Sequence, residues 1–167
     1  MKIVLHFDGS EALRHRVAAM GVELCPESDD ITFSKLLQDM EVLWHVLKPV
    51  TADVIGRAPK LKLIQKIGTG VNTIDLEAAK RRGIAVCNLP GTNSRAVAEM
   101  TLALMLACLR RLPELHGKIR EKNGWYEAWQ LQDHLGEIGG RTVGLVGFGA
   151  VPKLLAPILQ AMGANVM

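Results

Sequence analysis

TVGLVGFGAVPKLLAPILQAMGANVM, Thr142 to Met167, is the stretch from which the fold is read. An apolar run, Thr142 to Val146, leads into Gly147, Phe148 and Gly149, and a helical pattern follows. That order writes a strand, a tight turn and a helix, as in a dinucleotide-binding unit. The first glycine of such a turn lets the backbone reverse. The second lets amides approach a pyrophosphate, which then sits against the positive end of the helix. The pattern here is Gly-x-Gly-x-x-Pro, with Pro152 where a third glycine would give close helix-to-strand packing. Proline nevertheless suits a first helical turn, where its missing N–H has no partner to lose. Pro157 falls inside the expected helix and should bend it or cost about 3 kcal/mol. Taken alone, the motif also fits a plain strand, turn and helix. A second strand, Ala164 to Met167, is beginning where the sequence closes.

Toward the N-terminus, short apolar runs alternate with helical ones. KIVLHF, VEL, EVLWHV, LKLIQKI and IAVCN read as strands; SEALRHRVAAM, TFSKLLQDM, TADVIGRAP and DLEAAKRRG read as helices, the third stopped by Pro59 and the last closed by Gly83. Strands apolar on both faces that alternate with helices predict a parallel sheet covered by helices, with ligands beyond the carboxyl ends of the strands. GTGVN, after LKLIQKI, and LPGTNS, after IAVCN, are the loops that rule selects.

After Pro90 the texture changes. SRAVAEMTLALMLACLRRLPELHGKIREKNG is one helical run whose first half is apolar nearly all round, which predicts burial between two layers, and Pro113 should kink it or end its apolar part. WYEAWQLQDHLGEIGGR has no clean period and predicts an extended arm or a connecting segment. A boundary near residue 91 divides the chain into domains 1–90 and 91–167.

Composition limits the function classes. Apolar residues at 49% and charged residues at 22% fit a globular α/β protein, and the net charge of +3 is spread without the basic stripe that nucleic acid would require. The N-terminus MKIVLHFDGS lacks the pattern of a secretory signal, and the apolar helix around Val97 to Leu109 carries Glu99 and is shorter than the ~20 residues of a membrane span. The expected compartment is the cytoplasm. Cys25, Cys87 and Cys108 form no CxxC pair and predict reduced core thiols; His6, His15, His45, His116 and His134 show no metal-ligand spacing.

In KIGTGVNTID, Thr69, Gly70, Val71 and Asn72 follow a strand, and two glycines around a small hydroxyl residue expose consecutive amides that fit a carboxylate; a structural turn is the other reading. Asp75 is placed to cap the next helix. In NLPGTNSRAVAEMT, Pro90-Gly91 marks a turn and Asn93 or Ser94 a helix start. Thr101 either presents its hydroxyl toward the glycine turn or bonds back to the preceding helical turn.

Taken together, LIQKIGTGVNTIDLEAAKRRGIAVCNLPGTNSRAVAEMTLALMLACLRRL and the later GRTVGLVGFGAV resemble the NAD(P)-dependent D-isomer-specific 2-hydroxyacid dehydrogenases, and the similarity extends through VLKPVTADVIGRAPKLK. The resemblance implies a flavodoxin/Rossmann-like parallel-sheet substrate domain, then a long interdomain helix and the start of a Rossmann NAD(P)-binding domain, commonly in a homodimer joined through that helix and the following arm. It assigns Gly147, Gly149, Ala150 and Val151 to the pyrophosphate loop, Thr101 to the cofactor side, and the backbone of Thr69, Gly70 and Val71 to the substrate carboxylate. Leu47 and Lys48 match a segment near the mouth of the cleft. The implied chemistry is hydride transfer between NAD or NADP and a small 2-hydroxy or 2-oxo acid. In the family the catalytic Arg, Glu and His lie downstream of the glycine turn, as does the acid that holds the ribose. The expectation is therefore the front half of a dehydrogenase, inactive alone, with no catalytic residue and no metal site in this chain, and no nucleic-acid or membrane partner. The competing reading is a non-catalytic binding or assembly module derived from the family. A two-stranded second sheet also predicts that residues 120–167 are disordered or packed against another copy.

Overall fold

Val4 and Leu5 are adjacent in the first strand and both buried. Side chains alternate between the faces of a strand, so this strand needs cover on both sides. The computed structural model, which describes residues 1–121 and 124–167, supplies it. Within Met1–Thr92, one of two compact units, the elements run β1 (Ile3–His6), α1 (Glu11–Ala18), β2 (Val22–Cys25), α2 (Asp30–Leu36), β3 (Val42–His45), α3 (Ala52–Gly56), β4 (Leu63–Lys66), α4 (Leu76–Arg81) and β5 (Ala85–Cys87). Every ladder is parallel, in the order β2-β1-β3-β4-β5. This is the flavodoxin-like arrangement, and it bears out the α/β parallel-sheet expectation.

Phe33 and Leu37 with α2, Ile55 of α3 and Ala78 and Ala79 of α4 join Val4, Leu43 and Ile64 in the larger core. Val17 of α1 joins Leu5, Val22 and Leu24 in the smaller one, with Leu13 and Trp44 against it. The edge strand β5 leaves Ala85 and Cys87 exposed. The expectation of core thiols therefore holds for Cys25 alone, because Cys87 and Cys108 are exposed.

Local capping sets the helix starts. Ser10, Asp29, Thr51 and Asp75 each accept a backbone N–H in the first turn of the helix that follows. Asp29 moves the start of α2 forward to Asp30 from the expected TFSKLLQDM run. Asp75 Oδ1 accepts from Ala78 N at 2.8 Å, as expected. Asp75→Ala is expected to cost about 1 kcal/mol, read as a lower urea midpoint, and Asp75→Asn to restore most of it because it still accepts that N–H.

The second unit, Asn93–Met167, contains α5 (Ser94–Leu109), α6 (Leu112–Arg120), α7 (Gly124–Trp129), a 3-10 turn at Gln132–His134, β6 (Thr142–Val143), α8 (Ala150–Ala161) and β7 (Asn165–Val166). The predicted long helix is interrupted at Arg111, whose φ of 49° is left-handed, and Pro113 lies in the first turn of α6. There it needs no donor, so it opens a helix instead of bending one. The end of that predicted run, Lys122 and Asn123, lies outside the described residues. The segment expected to be an extended arm or a connection is not extended throughout: it contains α7 and the 3-10 turn.

Burial of α5 on both sides is also corrected. Ala98 is buried, with Leu102, Met105, Leu106 and Leu109 packed beside Leu155 and Leu159 of α8, while Val97, Met100 and Leu104 are exposed. Sixteen residues offer apolar groups around the whole helix, but α8 covers one face. Pro157 is accommodated within α8. It and Lys153, whose carbonyl loses the N–H donor, are both exposed, so water can take the place of that bond. β6 and β7 pair in parallel, and Leu145 N continues toward Met167 O at 2.7 Å. Among the described residues no helix is long and apolar enough to cross a membrane.

Candidate functional site

In the first unit the site candidates follow the carboxyl ends of β4 and β5. The backbone leaves β4 at Lys66 and reaches α4 through Gly68 to Asp75, and three anchors hold this loop. On the β5 side, Leu89 N donates to Gly68 O at 2.9 Å, Asn88 Nδ2 to Thr69 O at 2.7 Å, and Thr69 Oγ1 to Leu89 O at 3.3 Å. On the β3 side, Val50 N donates to Thr73 O at 2.8 Å and Asp75 N to Val50 O at 2.9 Å. Beneath it, His45 Nε2 and Thr73 Oγ1 are hydrogen-bonded at 2.7 Å. Between these anchors, the amides of Thr69, Gly70, Val71 and Asn72 donate to no group among the described residues. Unpaired consecutive N–H groups in a fixed loop can serve an anion, because they supply partial positive charge without having to reorganise.

His45 carries no metal-ligand spacing in the sequence. It is 1% exposed at the end of β3. Burial, and then the charge of Lys66, push its pKa down to about 4. Lys66, also buried, donates through Nζ to the Val46 carbonyl. Only a histidine in an otherwise apolar strand hinted at this role, and it does not reveal Thr73 as the partner. His6, ending β1, is stacked on Phe33 with ring centroids 3.7 Å apart. Burial, then Lys48, lower its pKa.

Lys48 is already engaged. Its Nζ reaches Asp30 Oδ1 at 2.5 Å and Glu27 O at 2.6 Å, and its backbone N donates to Glu27 Oε1. The Lys48 ammonium holds the Asp30 carboxyl below the usual carboxylate range. Leu47 beside it is exposed.

In the second unit the glycine turn lies between β6 and α8. Gly147 has φ +85°, a conformation that a side chain would strain, and Gly149 occupies the position before the first residue of α8 with no side-chain cap. As opening residues of a helix, Ala150 and Val151 have no intrahelical acceptor for their amides, and the helix dipole adds positive potential there. Phe148 is exposed. Thr101 donates its hydroxyl to Val97 O at 2.7 Å, the back-bonding alternative, and it borders a groove of about 590 Å³ with Thr142, Val143 and Gly144. The turn and the Thr69 loop belong to different compact units. Among the described residues no group of three or more His, Cys, Asp or Glu is gathered so as to hold a metal ion.

A five-stranded parallel sheet in flavodoxin-like order, with loops presented at the strand ends, defines a Rossmann-like α/β protein. The chain belongs to the D-isomer specific 2-hydroxyacid dehydrogenase family, whose catalytic-domain model matches residues 4–164. It is 40% identical over 119 residues to D-3-phosphoglycerate dehydrogenase of Mycobacterium bovis, an alignment covering 71% of this chain and 22% of that protein. Against human D-3-phosphoglycerate dehydrogenase the identity is 36% over 129 residues, covering 76% and 23%. Among solved structures, NAD-dependent formate dehydrogenase from Staphylococcus aureus in complex with NAD superposes with a TM-score of 0.83 at 29% identity, covering 100% of this chain and 55% of that one. The chain thus spans about a fifth of those curated relatives and about half of that solved structure.

Proposed function

We propose that this chain is part of an oxidoreductase that moves a hydride between NAD(P) and a small 2-hydroxy or 2-oxo acid. In this reading residues 1–90 form the substrate domain, and residues 91–167 form the interdomain helix and part of the nucleotide domain. The observation that carries it is the row of unpaired amides at Thr69, Gly70 and Val71, held at both ends after β4. They receive the substrate carboxylate. Ala150 and Val151, with Gly147 and Gly149 shaping the turn, receive the cofactor pyrophosphate, and Thr101 lies on the cofactor side. The Staphylococcus aureus relative, solved in complex with NAD, supports a nicotinamide dinucleotide, NAD or NADP, as the cofactor. Bound there, the nicotinamide supplies the hydride acceptor or donor. This chain's residues bind and orient, because none of them is assigned the roles of the family's catalytic Arg, Glu and His. Three free thiols support a reducing compartment such as the cytoplasm.

The 167 residues alone are expected to bind glyoxylate without reducing it. Purified chain mixed with NADH and glyoxylate or hydroxypyruvate should give a flat NADH absorbance trace, and steady oxidation above a protein-free control would overturn the inactive assignment.

A second reading, a non-catalytic assembly module, is favoured by two features. The exposed stripe Val97, Met100 and Leu104 on α5 and an apolar cleft of about 390 Å³ lined by Leu115, Ile119, Trp125 and Trp129 both suit a second copy of the chain. A homodimer is compatible with either reading. Sedimentation that shows a monomer, together with no binding of nucleotide or carboxylate, would remove the module.

A further inference from the structure

We infer that Asn88 is a positioning residue for the carboxylate loop, acting through the peptide planes of Gly68 and Thr69. This rests on the proposed role of Thr69, Gly70 and Val71. In a trans peptide the C=O of one residue and the N–H of the next point in opposite directions. Gly68 O accepts from Leu89 N at 2.9 Å, and Thr69 O accepts from Asn88 Nδ2 at 2.7 Å. Two successive carbonyls are therefore drawn toward the segment that follows β5. The N–H groups on the far side of those planes, at Thr69 and Gly70, are turned away from that segment together. Two successive amides aimed to one side form a concave anion seat.

The two anchors differ in kind. Leu89 contributes a backbone amide that any residue except proline supplies, so its bond is independent of side chain. Asn88 contributes a side-chain donor, and it faces an acceptor-only carbonyl, which settles which end of the amide is nitrogen. The carbonyl of the second peptide plane, which carries the Gly70 N–H, is thus held by one replaceable side chain, with the Thr69 hydroxyl bonding Leu89 O at 3.3 Å beside it. Gly68, at φ +153°, gives the backbone the freedom to bring both carbonyls to the same side. Asn88 is exposed, so its removal should disturb the loop more than the fold.

The test is amide NMR of the isotope-labelled 167-residue chain titrated with sodium glyoxylate, with the thermal midpoint of each variant measured in parallel. In the wild type the Thr69 and Gly70 resonances should move saturably. Asn88→Ala should raise the Kd about fivefold, the value of one hydrogen bond, with the thermal midpoint unchanged. Asn88→Gln, which keeps a donor on a longer stem, should recover part of the affinity. Movement in the wild type with an unchanged Kd in Asn88→Ala overturns the assignment and leaves the carboxylate loop standing. A loss of affinity that follows a lowered midpoint, and that Asn88→Gln does not relieve, makes the residue structural and also overturns it. No glyoxylate-dependent movement of these amides in the wild type overturns the carboxylate reading and the role of Asn88 with it.

Discussion

Ile64→Ala is expected to destabilise the first unit by about 3–4 kcal/mol, within the range for large-to-small changes at rigid core sites. Ile64 is 0% exposed on β4, which pairs with β3 on one side and β5 on the other. A strand held in ladders on both edges cannot shift to close a cavity without breaking register, so little of the lost volume is recovered. That sets the expectation above the low end of the usual range. The control is Ile31→Ala, which deletes the same atoms from a side chain 73% exposed on α2 and should stay within about 0.5 kcal/mol. Because the chain has two compact units, hydrogen exchange of the β1, β3 and β4 amides is read alongside the unfolding midpoint, so that the loss is assigned to the first unit. Equal effects at the two isoleucines would mean that the sheet interior is not packed as described. β4 also leads into Gly68, so Ile64→Ala should weaken carboxylate binding in proportion to the unfolded fraction.

Acid is expected to weaken the same unit well above the pH at which its carboxylates protonate. His45 has a pKa of about 4 when folded and an ordinary value of 6.5 when exposed. Between those values the unfolded chain holds a proton that the native state does not, so stability rises with pH across that window. The penalty is absent above pH 6.5, grows as the pH falls, and is complete near pH 4, where it is on the order of 3 kcal/mol. His6, also lowered by burial, acts in the same direction. Asp29, Asp30, Asp39 and Glu41 have carboxyls held below their ordinary values by hydrogen bonds and lysine partners, so their contributions are lost at still lower pH. His45→Gln does not titrate and can still bond Thr73, so it should reduce the slope of the pH 4–6.5 segment of a plot of urea midpoint against pH, leaving the smaller share due to His6. An unchanged slope in that variant would put the acid sensitivity elsewhere. The His45 to Thr73 bond also anchors the far end of the loop proposed to receive the carboxylate, and because folded His45 stays neutral down to about pH 4, glyoxylate affinity of the folded chain should hold through most of that window and fall at its lower end.

Much of this was legible in the chain itself because the signals were local. Strand and helix alternate in KIVLHF through IAVCN with the period that burial on two faces requires, and the capping residue Asp75 sits where a helix start needs it. The glycines at 147 and 149 predicted a turn before a helix, and Pro152 is tolerated in that first turn for the reason expected. The family resemblance likewise came from contiguous stretches and is upheld by the match over residues 4–164.

Other features depend on which residues meet across the fold. The apolar face of α5 toward α8 and the open stripe at Val97, Met100 and Leu104 have the same composition, so hydrophobicity alone predicted burial for both. Arg111 gave no sign that its backbone would turn left-handed, and the periodless WYEAWQLQDHLGEIGGR concealed a helix at Gly124–Trp129. Cys87 lies in an apolar strand, but that strand is an edge, which leaves the thiol exposed. Asn88 and His45 carry no motif. They matter because β3, β4 and β5 end side by side, bringing Asn88 to Thr69 across 19 residues and His45 to Thr73 across 28. Periodicity, caps and turns arise from neighbours in sequence and can be read there. The anchoring of a loop arises from neighbours in space, and these are set only once the strands have paired.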